Sequence, residues 1–135
     1  GGGIAVATDD KGTEQLHALV WTGHNERHGL YWVNSTNDGA TWSAPHRIGG
    51  ERARHADLGA IGQTVVAAWD ESGDIWVSVS RDLGDRWNKA RRVSGESRSA
   101  SHPIVLQTGE TFRIFWTERD QAGLQVWQSQ PLDRK

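Results

Sequence analysis

The sequence predicts an all-β protein built from repeated four-stranded antiparallel units, and three observations support this. Short runs of alternating apolar and polar residues are separated by turn-forming residues, with few helix-like stretches. Tryptophan and glycine are abundant, with eight Trp and sixteen Gly against two Phe, one Tyr and three Pro. Marker residues recur every 45 to 48 positions, within the period of about 40–50 residues that is typical of β-propeller blades.

Three kinds of marker define the repeat. Three apolar runs end in a tryptophan, and these residues are Trp21, Trp69 and Trp116. His55 and His102 are 47 residues apart, and each precedes a turn glycine by seven residues. Two segments with the pattern Ser-x-Asp/Asn-x-Gly-x-x-Trp begin at Ser35 and Ser80. We call these segments box 1 (35–42) and box 2 (80–87).

The markers divide residues 1–135 into three units of one domain, at about 3–50, 51–97 and 98–135. The predicted strands are 4–7, 15–21, 30–34 and 46–48 in the first unit, 55–61, 64–69, 75–79 and 90–93 in the second, and 103–107, 111–116 and 124–128 in the third. The third unit therefore lacks a fourth strand and a box. Since closed propellers have about 4–8 blades, we expect either further blades before Gly1 or a homodimer that completes a six-bladed ring.

The composition of each box suits a tight hairpin. A short oxygen-bearing side chain folds back onto backbone N–H groups of the turn, and glycine takes positive φ without a Cβ clash. A tryptophan then anchors the turn. The box residues are Ser35, Asn37, Gly39 and Trp42 in box 1 and Ser80, Asp82, Gly84 and Trp87 in box 2.

The two boxes resemble the Asp-box, or BNR repeat, of sialidases and sialidase-like β-propellers. Box 2 matches every defining position, and box 1 departs only by Asn37, which keeps an acceptor oxygen. The resemblance implies a propeller, six-bladed in the sialidase group, with each box a structural hairpin between the third and fourth strands of a blade. A fold does not define a reaction, so the boxes indicate architecture only.

The resemblance also supplies a test for catalysis. Sialidases bind the substrate carboxylate with three arginines, and they use a tyrosine nucleophile paired with a glutamate and an aspartate acid/base. Tyr31 is the single tyrosine and the catalytic candidate, but its place on a third strand favours packing. The segment 112–115 reads Phe-Arg-Ile-Phe and lacks the proline of the family's Phe-Arg-Ile-Pro.

Residues that enter the first strand of a blade border the central channel of a propeller. The candidate ligand-binding residues at this position are Arg52, Arg54, His55, Arg98 and His102. The alternative for the arginines is surface ion pairing with Glu51, Asp57 or Glu96. His55 and His102 are also metal-ligand candidates, because the repeat starts two adjacent strands with them, although a structural role is favoured. No cofactor is predicted.

Other patterns favour structural roles. Tryptophans that recur at blade period predict core packing at Trp21, Trp69, Trp116, Trp42 and Trp87. One of the three tryptophans on third strands is a candidate for an exposed binding ring, and these are Trp32, Trp76 and Trp127. The acidic pairs at 9–10 and 70–71 are predicted to be solvated turns.

Charge and composition exclude some function classes. A net charge of −2 implies no electrostatic attraction to nucleic acid, and no run approaches the length of about 18 apolar residues that a membrane span needs. The absence of cysteine excludes disulfides and thiolate sites. Together with the Trp-rich β pattern, it favours an extracytoplasmic location, periplasmic or secreted.

The leading hypothesis is a non-catalytic sialidase-like module that recognises a glycan or protein ligand. One alternative is the C-terminal half of an exo-sialidase or related glycoside hydrolase, whose other catalytic residues lie upstream or on a partner chain. The other alternative is an architectural module that associates with itself.

Overall fold

The computed structural model describes residues 2–23, 26–95 and 99–132, which form eleven β-strands and contain no helix. Sheet 1 comprises β1 (Gly2–Thr8), β2 (Glu14–Thr22), β3 (Gly29–Ser35) and β4 (His46–Gly49). Sheet 2 comprises β5 (Ala53–Ile61), β6 (Thr64–Glu71), β7 (Asp74–Ser80) and β8 (Arg91–Arg92). Sheet 3 comprises β9 (Ser101–Thr108), β10 (Thr111–Arg119) and β11 (Gln125–Leu132).

All three sheets are antiparallel, and their strands follow one another in sequence order. The predicted all-β fold of repeated antiparallel sheets is confirmed, and the described strands form an open set of sheets rather than a closed ring. The described residues contain no helix that is long and apolar enough to cross a membrane.

Sheet 2 lies between the other two sheets, and its second strand, β6, is buried on both faces. Side chains alternate across a strand. Val65 and Trp69 therefore pack in the cluster shared with sheet 1, while Val66 and Ala68 pack in the cluster shared with sheet 3. This explains why the β6 sequence is a continuous apolar run rather than an alternating one.

The first strands of the sheets, β1, β5 and β9, lie beside one another. The approach of β5 to β9 is close, because a Cβ added at Gly59 would lie 2.6 Å from Val105 Cγ1. A hydrogen bond crosses the same boundary, from the Val105 N–H to Asp57 Oδ2 at 2.8 Å. Packing and a charge-assisted hydrogen bond thus fix how sheet 3 sits on sheet 2.

Box 2 is held by hydrogen bonds of its own side chains. The buried Ser80 Oγ accepts the Gly84 N–H at 2.8 Å and donates to Asp82 Oδ1 at 2.9 Å. Asp82 Oδ1 also accepts the Arg86 N–H at 2.9 Å. This backbone bond is the largest of the effects that hold the pKa of the Asp82 carboxyl below its usual value, and the Ser80 hydroxyl adds to it.

Box 1 has the same arrangement of hydrogen bonds, although it carries the amide of Asn37 where box 2 carries the carboxylate of Asp82. Ser35 Oγ accepts the Gly39 N–H at 2.8 Å, and Asn37 Oδ1 accepts the Thr41 N–H at 2.9 Å. Gly39 and Gly84 have φ values of 86° and 91°, as the box pattern predicts. The oxygen that aspartate and asparagine share is therefore sufficient to hold the turn.

Box 2 also connects sheet 2 to sheet 1. The Trp32 ring of β3 lies directly over Gly84, so that a Cβ there would be 2.0 Å from Trp32 Cζ2. Trp32 also meets Trp87 edge to face, with ring centroids 5.8 Å apart. Trp42 of box 1 is 42% exposed, so the prediction of core packing is wrong for it. A Cβ at Gly39 would meet Leu16 Cδ1 and Trp42 itself at 3.7 Å, so among the described residues no ring of another sheet covers box 1 as Trp32 covers box 2.

Two boundaries predicted near the ends of strands are also wrong. Asp70 and Glu71 belong to β6 rather than to a solvated turn, which consists of Ser72 and Gly73. Residues 129–132 continue β11, although the sequence places them beyond the last strand. They extend the strand because β10 is long enough to pair with them, as far as Phe112 opposite Leu132.

The outer faces of the two end sheets carry exposed apolar side chains. On sheet 1 they are Ile4, Val6 and Val20, and on sheet 3 they are Ile104, Leu106 and Trp127. Among the described residues no strand pairs with the outer edge of β11, where Pro131 is tolerated because an edge strand can lack a backbone donor.

We expect Gly84→Ala to lower the free energy of unfolding by about 3 kcal/mol or more, because the new methyl group meets Trp32 and the backbone keeps a positive φ. Gly109→Ala is the matched control, since its φ is +66° and its Cβ would meet nothing within 4 Å. It should lose only about 1 kcal/mol. Urea unfolding of both variants tests this, and equal losses would contradict the contact between box 2 and sheet 1.

Candidate binding site at the start of the inner strands

His55 and His102 occupy equivalent β-bulges on β5 and β9. In each bulge two residues of the first strand oppose one residue of the second strand, which is the repeated tryptophan, Trp69 or Trp116. The two histidines have φ values of 43° and 58°, a left-handed conformation in which histidine is enriched among non-glycine residues. Since a bulge redirects a side chain, the repeated bulges bring two imidazoles to one place.

The two imidazoles stack on each other beside a carboxylate. Their ring centroids are 3.8 Å apart and the ring planes are inclined by 25°. His55 Nδ1 lies 2.8 Å from Asp70 Oδ2, and the same oxygen accepts the His102 N–H at 2.8 Å. We call these three residues the His–Asp–His cluster. It joins β5, β6 and β9, and therefore joins sheets 2 and 3.

Both imidazoles of the cluster are exposed, whereas its carboxylate is buried. The side chain of His55 is 47% exposed, whereas that of Asp70 is 10% exposed. An ionised carboxylate only accepts hydrogen bonds, so His55 Nδ1 carries the proton when it bonds to Asp70. The other ring nitrogen of neutral His55 is then left with a lone pair.

Sequence reasoning missed Asp70 because it assigned the residue to a turn. On β6 the side chain continues the row of Val66 and Ala68, which faces sheet 3. A signal was present in the repeat itself. The residue that follows each marker tryptophan is Thr22 in the first unit, Asp70 in the second and Thr117 in the third, so the carboxylate is the exception.

Of the three candidate arginines, the structure places Arg54 in defined contacts. Its guanidinium carbon lies 4.3 Å from the Trp21 ring centroid, a cation–π geometry. Its Nη1 donates to the backbone carbonyls of Glu51 and Ala53 at 2.9 and 2.8 Å. Among the described residues no ion pair joins Arg54 to Glu51 or Asp57, and Glu96, the third predicted partner, lies outside them.

The other two candidate arginines are Arg52 and Arg98. Arg52 is an exposed residue in the segment between β4 and β5. Arg98, with the neighbouring Glu96, lies outside the described residues.

Tyr31 lies on the outer face of sheet 1, away from the cluster. Its hydroxyl accepts a hydrogen bond from Arg47 Nε at 3.4 Å. None of the described residues places a carboxylate within hydrogen-bond distance of that hydroxyl. Tyr31 lines an open groove of about 570 Å³, together with Val20, Thr22, Arg27, Val33 and Pro45.

His17 is a different kind of histidine, fully buried in sheet 1. Its Nδ1 accepts a hydrogen bond from Trp32 Nε1 at 3.0 Å, and its Nε2 has no partner among the described residues. Burial lowers the pKa of His17 from 6.5 to about 4, because a charged imidazole would lose its hydration.

No protein-family model matches the chain, and no curated protein matches it. Among solved structures, the chain is similar to one described as the Hadza microbial sialidase Hz136, with 19% sequence identity and a TM-score of 0.45. The similarity covers 98% of this chain and 32% of the sialidase chain. This chain thus spans about a third of the length of the structure that it matches.

We expect His17 to make the fold sensitive to acid. Between pH 6.5 and pH 4 the unfolded chain takes up a proton that folded His17 does not, so the free energy of unfolding falls as the pH falls, by up to about 3 kcal/mol. His17→Gln, which can still accept the Trp32 N–H, should be less stable at pH 7.5 but lose less stability on acidification.

Urea unfolding between pH 7.5 and pH 4 measures this effect. His46→Gln is the control, because His46 is exposed on β4 and should follow the wild type. A pH dependence of His17→Gln equal to that of the wild type would show that His17 is protonated in the folded state.

Proposed function

We propose that this chain is a non-catalytic recognition module of the Asp-box propeller type, which binds an acidic glycan or an acidic protein segment. The observation that carries the proposal is the His–Asp–His cluster. Two imidazoles stack near the beginning of β5 and β9. Arg52 and Arg54, which are exposed, come just before His55 in the sequence.

The chemistry of this surface favours an anionic ligand. Imidazole and guanidinium N–H groups donate hydrogen bonds, and guanidinium groups bind carboxylates with two parallel bonds. The stacked imidazoles add a flat surface next to these donors, which suits a sugar ring or a side chain.

The surroundings of Tyr31 support a role other than hydrolysis. A tyrosine nucleophile needs a neighbouring base that activates its hydroxyl, whereas the Tyr31 hydroxyl accepts a bond from Arg47. Tyr31 pairs with Val20 on the outer face of sheet 1, and Arg54 packs on Trp21, whose side chain points to the opposite face.

The assignment to the Asp-box type is supported by the matching hydrogen bonds of the two boxes. In both, a serine hydroxyl and a following acid or amide oxygen cap the same backbone N–H groups. An extracytoplasmic location remains a prediction from composition.

A second candidate function is assembly with another copy of this chain. The outer faces of sheets 1 and 3 carry rows of exposed apolar side chains, similar in chemistry to the rows that pack between the sheets. Two copies contain six sheets, which is within the range of closed propellers. The outer face of sheet 1 would then pack against the outer face of sheet 3 of the second copy.

We expect recognition to depend on charge. N-acetylneuraminic acid, glucuronic acid and a glutamate-rich peptide should give saturation-transfer signals and calorimetric binding, whereas N-acetylglucosamine should not. In the double variant Arg52→Ala, Arg54→Gln, the dissociation constant should rise at least tenfold, a loss of about 1.4 kcal/mol.

Arg91→Ala, on β8 of the same sheet, is the control for this measurement and should bind as the wild type does. Equal binding of the neutral and acidic sugars, or the absence of binding by every anionic probe, would refute the recognition proposal. Turnover of a fluorogenic sialoside by the chain would refute its non-catalytic part.

We expect the chain to sediment as a dimer if the second candidate function holds. Val6→Lys and Leu106→Lys place charges on the two outer faces and should shift the chain to the monomer, because burying an unpaired ammonium group is costly. Gln121→Lys, in the exposed turn before β11, should leave the dimer intact. A wild-type monomer at micromolar concentration would exclude self-assembly.

A further inference from the structure

We infer that His55, Asp70 and His102 form a binding site for a divalent transition-metal ion, with zinc as the best match. Each residue offers one ligand atom, and these atoms lie within 4.8 Å of one another. The inference deepens the proposed function, and it rests on that proposal for the role of the ion, which would lie where the anionic ligand binds.

The ligand set is chemically specific. Imidazole nitrogen and carboxylate oxygen are donors that zinc accepts, whereas calcium and magnesium prefer oxygen alone. Two histidines and one carboxylate are a known set for zinc with an open position. The partly exposed His55 side chain leaves a route for water or a ligand carboxylate to that position.

One carboxylate oxygen of Asp70 is available to bind a metal ion. Its Oδ2 is engaged by His55 Nδ1 and by the His102 N–H, and its Oδ1 accepts no hydrogen bond from the described residues. Because both hydrogen bonds go to Oδ2, Oδ1 is the oxygen available to a cation. The bond from the His102 N–H would then orient the ligating carboxylate, as is common around metal sites.

The backbone conformation at both bulges indicates that the histidine side chain itself has a role there. A positive φ is strained at a non-glycine residue, and glycine or asparagine would adopt it more easily. Histidine nevertheless occupies this position in both units, at φ values of 43° and 58°. In addition, Ser101 Oγ lies 3.0 Å from His102 Nδ1, a contact that can fix the orientation of the ring for metal binding.

Metal binding requires the two imidazoles to turn from their stacked arrangement. Two ligands of a tetrahedral zinc ion lie roughly 3.4 Å apart, given zinc–ligand bonds of about 2.1 Å, whereas the ligand atoms of the cluster are separated by up to 4.8 Å. Both imidazoles are exposed, and exposed side chains change rotamer readily.

The test is metal binding by the full chain after treatment with a chelator. Zinc titration followed by calorimetry should show one ion per chain, and cobalt should give the visible absorption of a four- or five-coordinate site. His55→Asn and His102→Asn should each weaken zinc binding at least tenfold. Asparagine is chosen because it tolerates the left-handed conformation.

His46→Asn is the matched control, an exposed histidine outside the cluster, and it should bind zinc as the wild type does. Zinc should also raise the melting temperature of the wild type but not that of His102→Asn. Melting curves without metal show whether the variants fold. Zinc affinities of the cluster variants equal to that of the wild type, or a loss equal to theirs in His46→Asn, would overturn the inference.

The two proposals fail in different ways. If zinc binds to the cluster and no anionic probe binds with or without zinc, the metal site holds and the recognition function is wrong. If anionic probes bind in the presence of a chelator and zinc does not bind, recognition holds and the metal site is wrong. If both are correct, zinc should tighten the binding of glucuronic acid in the wild type and not in His102→Asn.

Discussion

The arrangement of β5, β6 and β9 depends on the carboxylate of Asp70. One of its oxygens bonds to the His55 side chain of β5 and to the His102 backbone of β9, so it connects two bulges and two sheets at once. Removing it would leave a backbone N–H unpaired next to two stacked imidazoles. Asp57 repeats the principle farther along β5, where it accepts the Val105 N–H. Sheet 3 is therefore positioned by side-chain carboxylates as well as by apolar packing.

The contact between sheets 1 and 2 is of another kind. It depends on the absence of a side chain at Gly84, which lets the Trp32 ring cover box 2. Box 2 therefore has two functions in this fold, since it closes its own hairpin and packs against sheet 1. Trp87 gains a partner by this packing, whereas Trp42 is exposed. Equivalent positions of the two boxes thus differ in burial according to whether an aromatic ring of another sheet covers them.

The all-β class and the eleven strands were predictable because short alternating apolar runs, separated by turn residues, mark each strand. The details that the sequence did not predict all depend on tertiary neighbours. Asp70 looks like a turn residue until β6 is seen to extend past Trp69 to Glu71. Residues 129–132 look like a tail until β10 offers them partners. The stacking of His55 on His102 requires the bulges, which no local pattern of apolar residues signals.

The candidate binding site lies where the chain departs from its own repeat. Thr117 occupies in sheet 3 the place of Asp70 in sheet 2, and its hydroxyl bonds to the Ser101 carbonyl within its own sheet. Asp70 instead reaches the next sheet, so the carboxylate is found at one boundary between sheets. A carboxylate that only held neighbouring sheets together would be expected after every marker tryptophan. It is found at the boundary where two histidines meet, which agrees with the tendency of functional sites to break local sequence rules.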